Sequence, residues 1–144
     1  MAQRLAVSGA GDLKFIFNVS KHVGPFDAQP NDKDDVQLVQ FLLREGIKAS
    51  GVKVKPGIDV PRPTGQFDAQ TGFWIYRIQD GMHDSSKSVV IDGIVSPAKG
   101  VFYTINSPWA IVFLNYTIKQ KAPLVFSGIP TNPELSPTLR ASLS

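Results

Sequence analysis

Apolar positions along the chain follow two spacings, and each spacing predicts a different kind of element. Apolar residues alternate with polar ones from Leu13 to Val19, which is the spacing of a β-strand. Residues 22–32 are rich in Gly, Pro and Asp and predict a loop. Further along, apolar residues recur every three or four positions, which predicts amphipathic helices.

The first predicted helix begins at a cap formed by Asn31 or Asp32, and Gly46 is expected to end it. Asp34 and Asp35 place negative charge in its first turn, where carboxylates interact favourably with the helix dipole. Its apolar stripe consists of Val36, Leu38, Val39, Leu42, Leu43 and Ile47.

The second predicted helix runs from Ala69 to Gln79. Asp68 is its expected cap, and Asp80 with Gly81 is expected to end it. One side of this helix is predicted to face the core, and its members are Thr71, Trp74, Ile75 and Ile78.

Shorter elements are predicted elsewhere. Alternation over residues 52–55 and the short apolar run Val89-Val90-Ile91 indicate two short strands. A capping side chain directly before a proline indicates a helix start. This pattern predicts helices over residues 97–105 and 108–120 and a last turn from Pro137. The dipeptides are Ser96-Pro97, Ser107-Pro108, Asn132-Pro133 and Ser136-Pro137.

The helix predicted over residues 108–120 is apolar on nearly every side. Such a helix lies either at the centre of a core or against a partner. In a domain this small, burial in the protein's own core is the favoured interpretation. Its apolar residues are Trp109, Ile111, Val112, Phe113, Leu114, Tyr116 and Ile118.

Composition and charge exclude several classes of protein. A length of 144 residues fits a single domain, and the absence of cysteine excludes disulfides and thiolate zinc sites. The 15 basic and 12 acidic residues are spread along the chain, whereas a nucleic-acid binder needs a concentrated basic face. A mildly basic surface still suits an anionic polymer such as a cell wall.

Neither a signal peptide nor a membrane span is predicted. The N-terminus has one early arginine, Arg4, and a short apolar patch, which is less than a secretory signal needs. The longest apolar run, from Trp109 to Leu114, is far shorter than the roughly 20 residues that span a bilayer. We therefore expect a chain that is cytoplasmic as made. It would reach the envelope, or assemble into a particle, by a route other than Sec export.

Candidate catalytic chemistry is sparse. His22 and His83 are expected in loops, without the ligand spacing of a metal site. Glu45 and Asp59 are a conceivable carboxylate pair for glycoside hydrolysis, but a solvated helix end and a loop cap are the favoured roles. The chain has neither a G-x-S-x-G elbow nor a phosphate-binding glycine loop. We predict no catalytic residue, no metal and no cofactor, and therefore a protein that is not an enzyme.

Four segments together resemble the peptidoglycan-binding-domain-like family over residues 31–106. Its pattern is D-V-x-x-[LV]-Q-x-x-L, then D-G-x-F-D-x-x-T-x-x-A-[VI]-x-x-F-Q, then D-G-x-V-[GD]-P. The chain departs from this pattern at Thr64, Trp74, Ile78 and Ser96. The matching segments are DVQLVQFLL (35–43), TGQFDAQT (64–71), IYRIQ (75–79) and DGIV (92–95).

The resemblance implies a mainly α fold, in which a small three-helix bundle is often a non-catalytic targeting module of wall-active enzymes. Here it would form the core, at residues 31–106, of a single domain with an N-terminal arm (1–30) and a C-terminal extension (107–144). A fourth helix and short strands from these terminal segments complete the expected fold.

A glycan–peptide ligand needs an aromatic face for its sugars and donors for its carbonyl and carboxylate groups. Tyr76 and Arg77 lie off the apolar stripe of the second helix and fit these roles. Gln79, Gln40 and Asp92 complete the predicted site. Both glutamines also fit a second role, which is internal capping of loop backbone groups, and this role is favoured.

Two functions follow from these expectations. One is a non-enzymatic peptidoglycan-binding protein that attaches its carrier to the cell wall. The other is a structural or adaptor subunit, for example of a phage particle or a secretion machine. In the adaptor, the segments from Leu13 to Val19 and from Trp109 to Phe126 would contact a neighbouring chain or a second copy, because strand edges and apolar helices suit such contacts.

Overall fold

The computed structural model describes residues 2–25, 31–99 and 109–144. Within them the chain is mainly helical, with one two-stranded antiparallel sheet, which confirms the mainly α class with short strands. In chain order the elements are β1 (Gln3–Ala10), β2 (Leu13–Asn18), α1 (Lys33–Ser50), α2 (Ala69–Ser85), α3 (Ala110–Lys121), α4 (Pro123–Ser127), a 3-10 turn (Ile129–Thr131) and α5 (Pro137–Leu143).

An N-terminal hairpin carries the two strands. β2 confirms the strand predicted from alternation, whereas β1 was not predicted. The strands pair with Leu5 opposite Ile16, and the register becomes irregular between Ala6 and Ala10. Most side chains of β1 are exposed, and Val7 is a buried exception. A strand with so few buried residues lacks the alternation that identifies β2 in the sequence.

Helix α1 begins as predicted and ends later. The Asp32 side chain accepts a hydrogen bond from the Asp35 backbone N–H at 2.9 Å. The predicted end at Gly46 is wrong, because the helix continues to a left-handed Gly51 with φ 72°. Gly46 instead provides a close helix–helix contact: a Cβ placed there would lie 3.2 Å from Leu114 Cδ2 on α3.

Helix α2 likewise extends past its predicted end. The Asp68 side chain accepts a hydrogen bond from the Thr71 backbone N–H at 2.8 Å, which confirms the cap. The predicted end at Asp80 and Gly81 is wrong, since α2 continues to Ser85. Gly81 is exposed within the helix, where it costs some stability without breaking the hydrogen-bond pattern.

Helix α3 lies at the centre of the molecule. It packs against α1 and also contacts β2 and α4. Its apolar residues therefore find partners within the chain, which confirms the favoured interpretation of the helix that is apolar on nearly every side. The buried apolar residues of α3 are Ile111, Val112, Leu114 and Ile118.

The two short strands predicted at 52–55 and 89–91 are absent among the described residues, and both stretches are irregular. Neither has a neighbouring strand to pair with among the described residues, and a local apolar pattern alone does not supply one. A single bridge nearby joins Val23 and Val95 by two backbone hydrogen bonds of 2.9 Å.

The predicted helix starts at capping prolines have different outcomes. The start predicted at Asn132-Pro133 is wrong, because Asn132 Oδ1 accepts the Glu134 N–H at 2.9 Å within a turn. The helix predicted over residues 97–105 falls mostly on residues 100–108, which lie outside the described residues. Ser136 caps α5 by accepting a hydrogen bond from the Leu139 backbone N–H at 3.2 Å, and Pro137 is the first helical residue. The last predicted turn is thus a short helix.

One hydrophobic cluster extends from Ala2 to Leu143. Side chains of the N-terminal hairpin, the long helices and the C-terminal segment all belong to it. The largest fully buried side chains are Leu13, Ile16, Phe17, Leu38, Phe41, Leu42, Leu43, Ile75, Ile111, Leu114, Ile118 and Ile129.

Six side-chain amides hold backbone segments in place within the described residues. In each, the amide oxygen accepts a backbone N–H while the amide nitrogen donates to a backbone carbonyl. We call them backbone clamps. Asn115, for example, accepts the Phe17 N–H at 2.8 Å and donates to the Phe17 carbonyl at 3.0 Å. The six residues are Asn18, Asn31, Gln37, Gln40, Gln79 and Asn115.

Replacing the Gln40 clamp with leucine should destabilise the protein. Gln40→Leu leaves the Gly65 N–H and the Gln66 carbonyl without their partner, so the free energy of unfolding should fall by about 2–4 kcal/mol. Gln66→Leu is the matched control, because the Gln66 side chain is exposed, and its effect should stay within about 0.5 kcal/mol. Urea unfolding measures both values. Equal midpoints for the two variants would contradict the role of the clamp.

A bidentate ion pair joins α1 to the segment before α5. Arg44 Nη1 and Nη2 donate to the Glu134 carboxylate at 2.8 and 2.6 Å. The hydrogen bond from Arg44 holds the pKa of Glu134 below its ordinary value. In turn, the hydrogen bond to Glu134 raises the pKa of Arg44.

The lowered pKa makes this contribution depend on pH. The stabilisation is complete above the unfolded carboxyl pKa of about 4.3, and it is lost as pH falls through the lower folded pKa. Because Glu134 is half exposed, Glu134→Gln should cost at most about 1 kcal/mol at pH 7. Urea unfolding should show this difference shrinking towards zero in strong acid. Asp84→Asn, at an exposed carboxylate, is the control, and a difference that persists unchanged in acid would contradict the assignment.

Candidate ligand-binding cleft

The exposed face of α2 carries a compact group of aromatic and charged side chains. They lie at positions i, i+3, i+4 and i+7, so they occupy one side of the helix. The opposite side is buried in the core, where Trp74 and Ile75 pack. The exposed group consists of Phe73, Tyr76, Arg77 and Asp80.

This face forms one wall of a cavity of about 560 Å³, which we call the aromatic cleft. The turn at Asp92 and Gly93 forms another wall, and Pro25 also lines the cavity. A helix and a loop distant from it in sequence thus bring their side chains to one open surface. Lining residues are Pro25, Ala69, Gly72, Phe73, Tyr76, Arg77, Asp80, Asp92 and Gly93.

Two aromatic rings give the cleft its apolar surface. Phe73 is 47% exposed and Tyr76 is 53% exposed. The Tyr76 ring packs on Gly93, where a Cβ would lie only 3.1 Å from Tyr76 Cδ2. Gly93 also has φ 73°, which favours glycine, so its lack of a side chain serves both the turn and the position of the ring.

Charged groups stand beside the rings. Arg77 is exposed and makes neither a hydrogen bond nor an ion pair with any residue that the structure describes. Asp92 Oδ1 accepts hydrogen bonds from Gln79 Nε2 and from the Ile94 backbone N–H, both at 3.0 Å, which fixes the carboxylate. The cleft therefore presents an exposed cation, Arg77, and an oriented anion, Asp92, on one surface.

The structure brings three of the five predicted site residues together, namely Tyr76, Arg77 and Asp92. Gln40 is fully buried and Gln79 is 4% exposed, and both side chains are occupied by the backbone clamps. They therefore perform the internal capping that was the alternative role.

The other six lining residues of the cleft were not predicted as site residues, and Phe73, Asp80 and Gly93 are the most informative of them. Phe73 precedes Tyr76 by three positions and Asp80 follows it by four, so helical spacing from Tyr76 would have identified both. Gly93 was assigned only to a turn. No sequence signal shows that the Tyr76 ring would pack on it, because this contact depends on how the turn folds back onto α2.

The two histidines lie apart from the cleft lining. The Nδ1 of His22 is 2.9 Å from the Ser96 hydroxyl. His83 lies in α2 and not in the predicted loop. Its Nδ1 lies 2.7 Å from the Val89 carbonyl oxygen, and because a carbonyl only accepts, Nδ1 carries the proton there.

The conceivable carboxylate pair is held by separate contacts. Glu45 pairs with Arg44 at 3.2 Å and with Lys48 at 3.7 Å. The Asp59 carboxylate accepts a long hydrogen bond of 3.4 Å from Gln70, and its backbone carbonyl accepts from Trp74 Nε1 at 2.9 Å. The favoured role of Glu45 as a solvated helix-end carboxylate is wrong, because α1 continues to Ser50 and the Glu45 side chain is mostly buried in its ion pairs. The Asp59 carboxylate contacts the Gln70 side chain and caps no backbone group among the described residues.

Within residues 2–25, 31–99 and 109–144, no cluster of three or more His, Cys, Asp or Glu side chains is arranged to hold a metal ion. None of the helices in these ranges combines the length and the apolar character needed to cross a bilayer.

Comparisons of the chain with models of protein families, with curated proteins and with solved structures found no match. The resemblance stated for residues 31–106 therefore stays a prediction.

Proposed function

We propose that this protein binds peptidoglycan without catalysing a reaction, and that the aromatic cleft is its binding site. The observation that carries the proposal is the exposed pair Phe73 and Tyr76 on one open surface, beside an exposed Arg77 that has no ion-pair partner among the described residues. The sequence resemblance to peptidoglycan-binding domains supports the same function and implies the small helical bundle.

The two rings match the sugar part of such a ligand. The faces of pyranose rings carry C–H groups, which pack against aromatic rings, and the hydroxyl groups at their edges remain in water. Phe73 and Tyr76 lie one helical turn apart and therefore offer adjacent apolar surfaces to a linear glycan. Each ring would lose exposed apolar surface on binding, which contributes roughly 25 cal/mol per Å² of apolar area removed from water.

The charges match the peptide part. Stem peptides carry carboxylates, and a guanidinium group can hold a carboxylate through two parallel charge-assisted hydrogen bonds. Arg77 is free for this role among the described residues. Asp80 and the oriented Asp92 carboxylate can accept hydrogen bonds from peptide amide or ammonium groups. The cleft thus combines the two recognition chemistries that a glycan–peptide polymer requires.

Co-sedimentation with purified sacculi tests this proposal. Wild-type protein should be found in the pellet at low salt, and Phe73→Ala, Tyr76→Ala and Arg77→Ala should each weaken retention about tenfold, since each removes a contact worth about 1.4 kcal/mol. Leu124→Ala is the control, because Leu124 is an apolar side chain, 86% exposed, that does not line the cleft. Full recovery of the wild type in the supernatant would contradict the proposal.

A second pair of variants in the same assay tests whether displacing the Tyr76 ring weakens binding, without changing Tyr76 itself. Gly93→Ala strains a left-handed backbone and also pushes on the ring, so retention should fall. Gly57→Ala introduces the same kind of strain at φ 87° with no atom within 4 Å of the new Cβ, so retention should be unchanged. Equal retention by the two variants would mean that the position of the Tyr76 ring does not affect binding to sacculi.

An adaptor subunit is the second candidate, and the edge of β1 favours it. Among the described residues β1 pairs only with β2, so its other edge can accept a strand from a neighbouring chain. The apolar side chains of β2 and α3, which were predicted to form the interface, belong to the protein's own core. A monomeric profile in light scattering at high concentration, with no partner in pulldowns, would contradict this candidate.

A further inference from the structure

A second cavity of about 510 Å³ lies between α2, α3 and the C-terminal end of α1, and we call it the apolar groove. Its size falls within the roughly 300–1,000 Å³ of small-molecule sites. Arg77 lines both this groove and the aromatic cleft, whereas the other lining residues of the two cavities differ. Apolar side chains that form its walls are Trp74, Ile78, Met82, Val89, Phe113 and Leu114.

The described lining of the groove carries a single positive charge. Arg77 is the sole charged side chain among the described residues that line it. The remaining polar side chains there carry hydroxyl groups, as Ser85, Tyr116 and Thr117 do. A single cation at an apolar cavity is complementary to a ligand that is apolar and carries one negative charge.

The walls also discriminate against a peptide as the occupant. They are formed mainly by side chains of helices, whose backbone groups are already hydrogen-bonded within the helices. A peptide in this groove would bring amide groups that lose water without gaining partners, and each such loss is costly. An alkyl chain has no such groups.

We propose that the apolar groove binds a single-chain amphiphile with a carboxylate headgroup. The alkyl chain lies among Trp74, Met82 and Phe113, and the carboxylate accepts hydrogen bonds from Arg77. This site shares Arg77 with the aromatic cleft and is otherwise lined by different residues, and its existence does not depend on peptidoglycan binding.

Decanoate is the probe, and Met82 provides the signal. The chain has two methionines, Met1 and Met82, so methyl-labelled methionine gives a resolved NMR reporter in the groove and an internal reference outside its described lining. Decanoate below its micelle concentration should shift the Met82 methyl signal saturably. Uncharged decanol should bind about tenfold more weakly, because its hydroxyl group carries no negative charge and cannot form the bidentate pair with Arg77. Cationic decyltrimethylammonium should bind more weakly still, because its headgroup accepts no hydrogen bond and is repelled by the guanidinium.

Gly81 allows the groove to be filled without disturbing the core. It lines the groove, and a Cβ placed there has no atom within 4 Å. Gly81→Phe should therefore weaken decanoate binding at least tenfold while leaving retention on sacculi unchanged. Gly81→Ala is the matched control, which should bind decanoate like the wild type. Arg77→Gln should remove the preference for decanoate over decanol.

Three results would overturn the proposal. The first is equal affinity of the wild type for decanoate, decanol and the cationic analogue. The second is unchanged decanoate binding by Gly81→Phe. The third is an absence of decanoate binding together with a lowered unfolding midpoint of Gly81→Phe, which would mean that protein fills the groove. Since Gly81 does not line the aromatic cleft, each result is independent of whether the protein binds sacculi.

Discussion

The structure depends on how its irregular segments satisfy their buried backbone groups. Backbone N–H and carbonyl groups that leave water need partners, and strands and helices supply them only within regular elements. Here side-chain amides supply them between elements. Gln37 shows the reach of one clamp: it donates to the Pro63 carbonyl at 2.8 Å and accepts the Ser136 N–H at 2.9 Å, so it fixes two loops to α1 at once.

The backbone clamps also position the candidate site. Gln79 points inwards from α2 and holds the turn at Gly93, while Tyr76, three residues earlier, packs on that glycine from the outside. One helix therefore anchors the turn with one face and presents the exposed Tyr76 ring with the other. Gln40 holds the turn at Gly65 in the same way, and Gly65 and Gly93 both have left-handed φ values, 84° and 73°.

The sequence predicts correctly those features that depend on residues within about one helical turn of each other. Asp32 and Asp68 fix where α1 and α2 begin, since a cap acts within one turn. The predicted end of α1 was wrong because glycine can have either of two roles in a helix. Gly51 ends α1 by its left-handed backbone conformation, whereas Gly46 permits close contact with α3. Tyr76 and Arg77 were predicted as site residues because they lie off the apolar stripe of the helix, and the resemblance implied the kind of ligand. The cleft itself required knowing which loop folds against α2, and spacing carries no such information.

The clamp between Asn115 and Phe17 joins residues 98 positions apart, and the clamp between Asn18 and Ala98 spans 80 positions. Contacts of such long sequence separation close late, because the chain must first lose the entropy of a large loop. During synthesis the hairpin leaves the ribosome well before its anchors, Ala98 and Asn115. Until α3 has been translated, β2 lacks its contact with that helix, and apolar surface left uncovered in this way favours aggregation or capture by a chaperone.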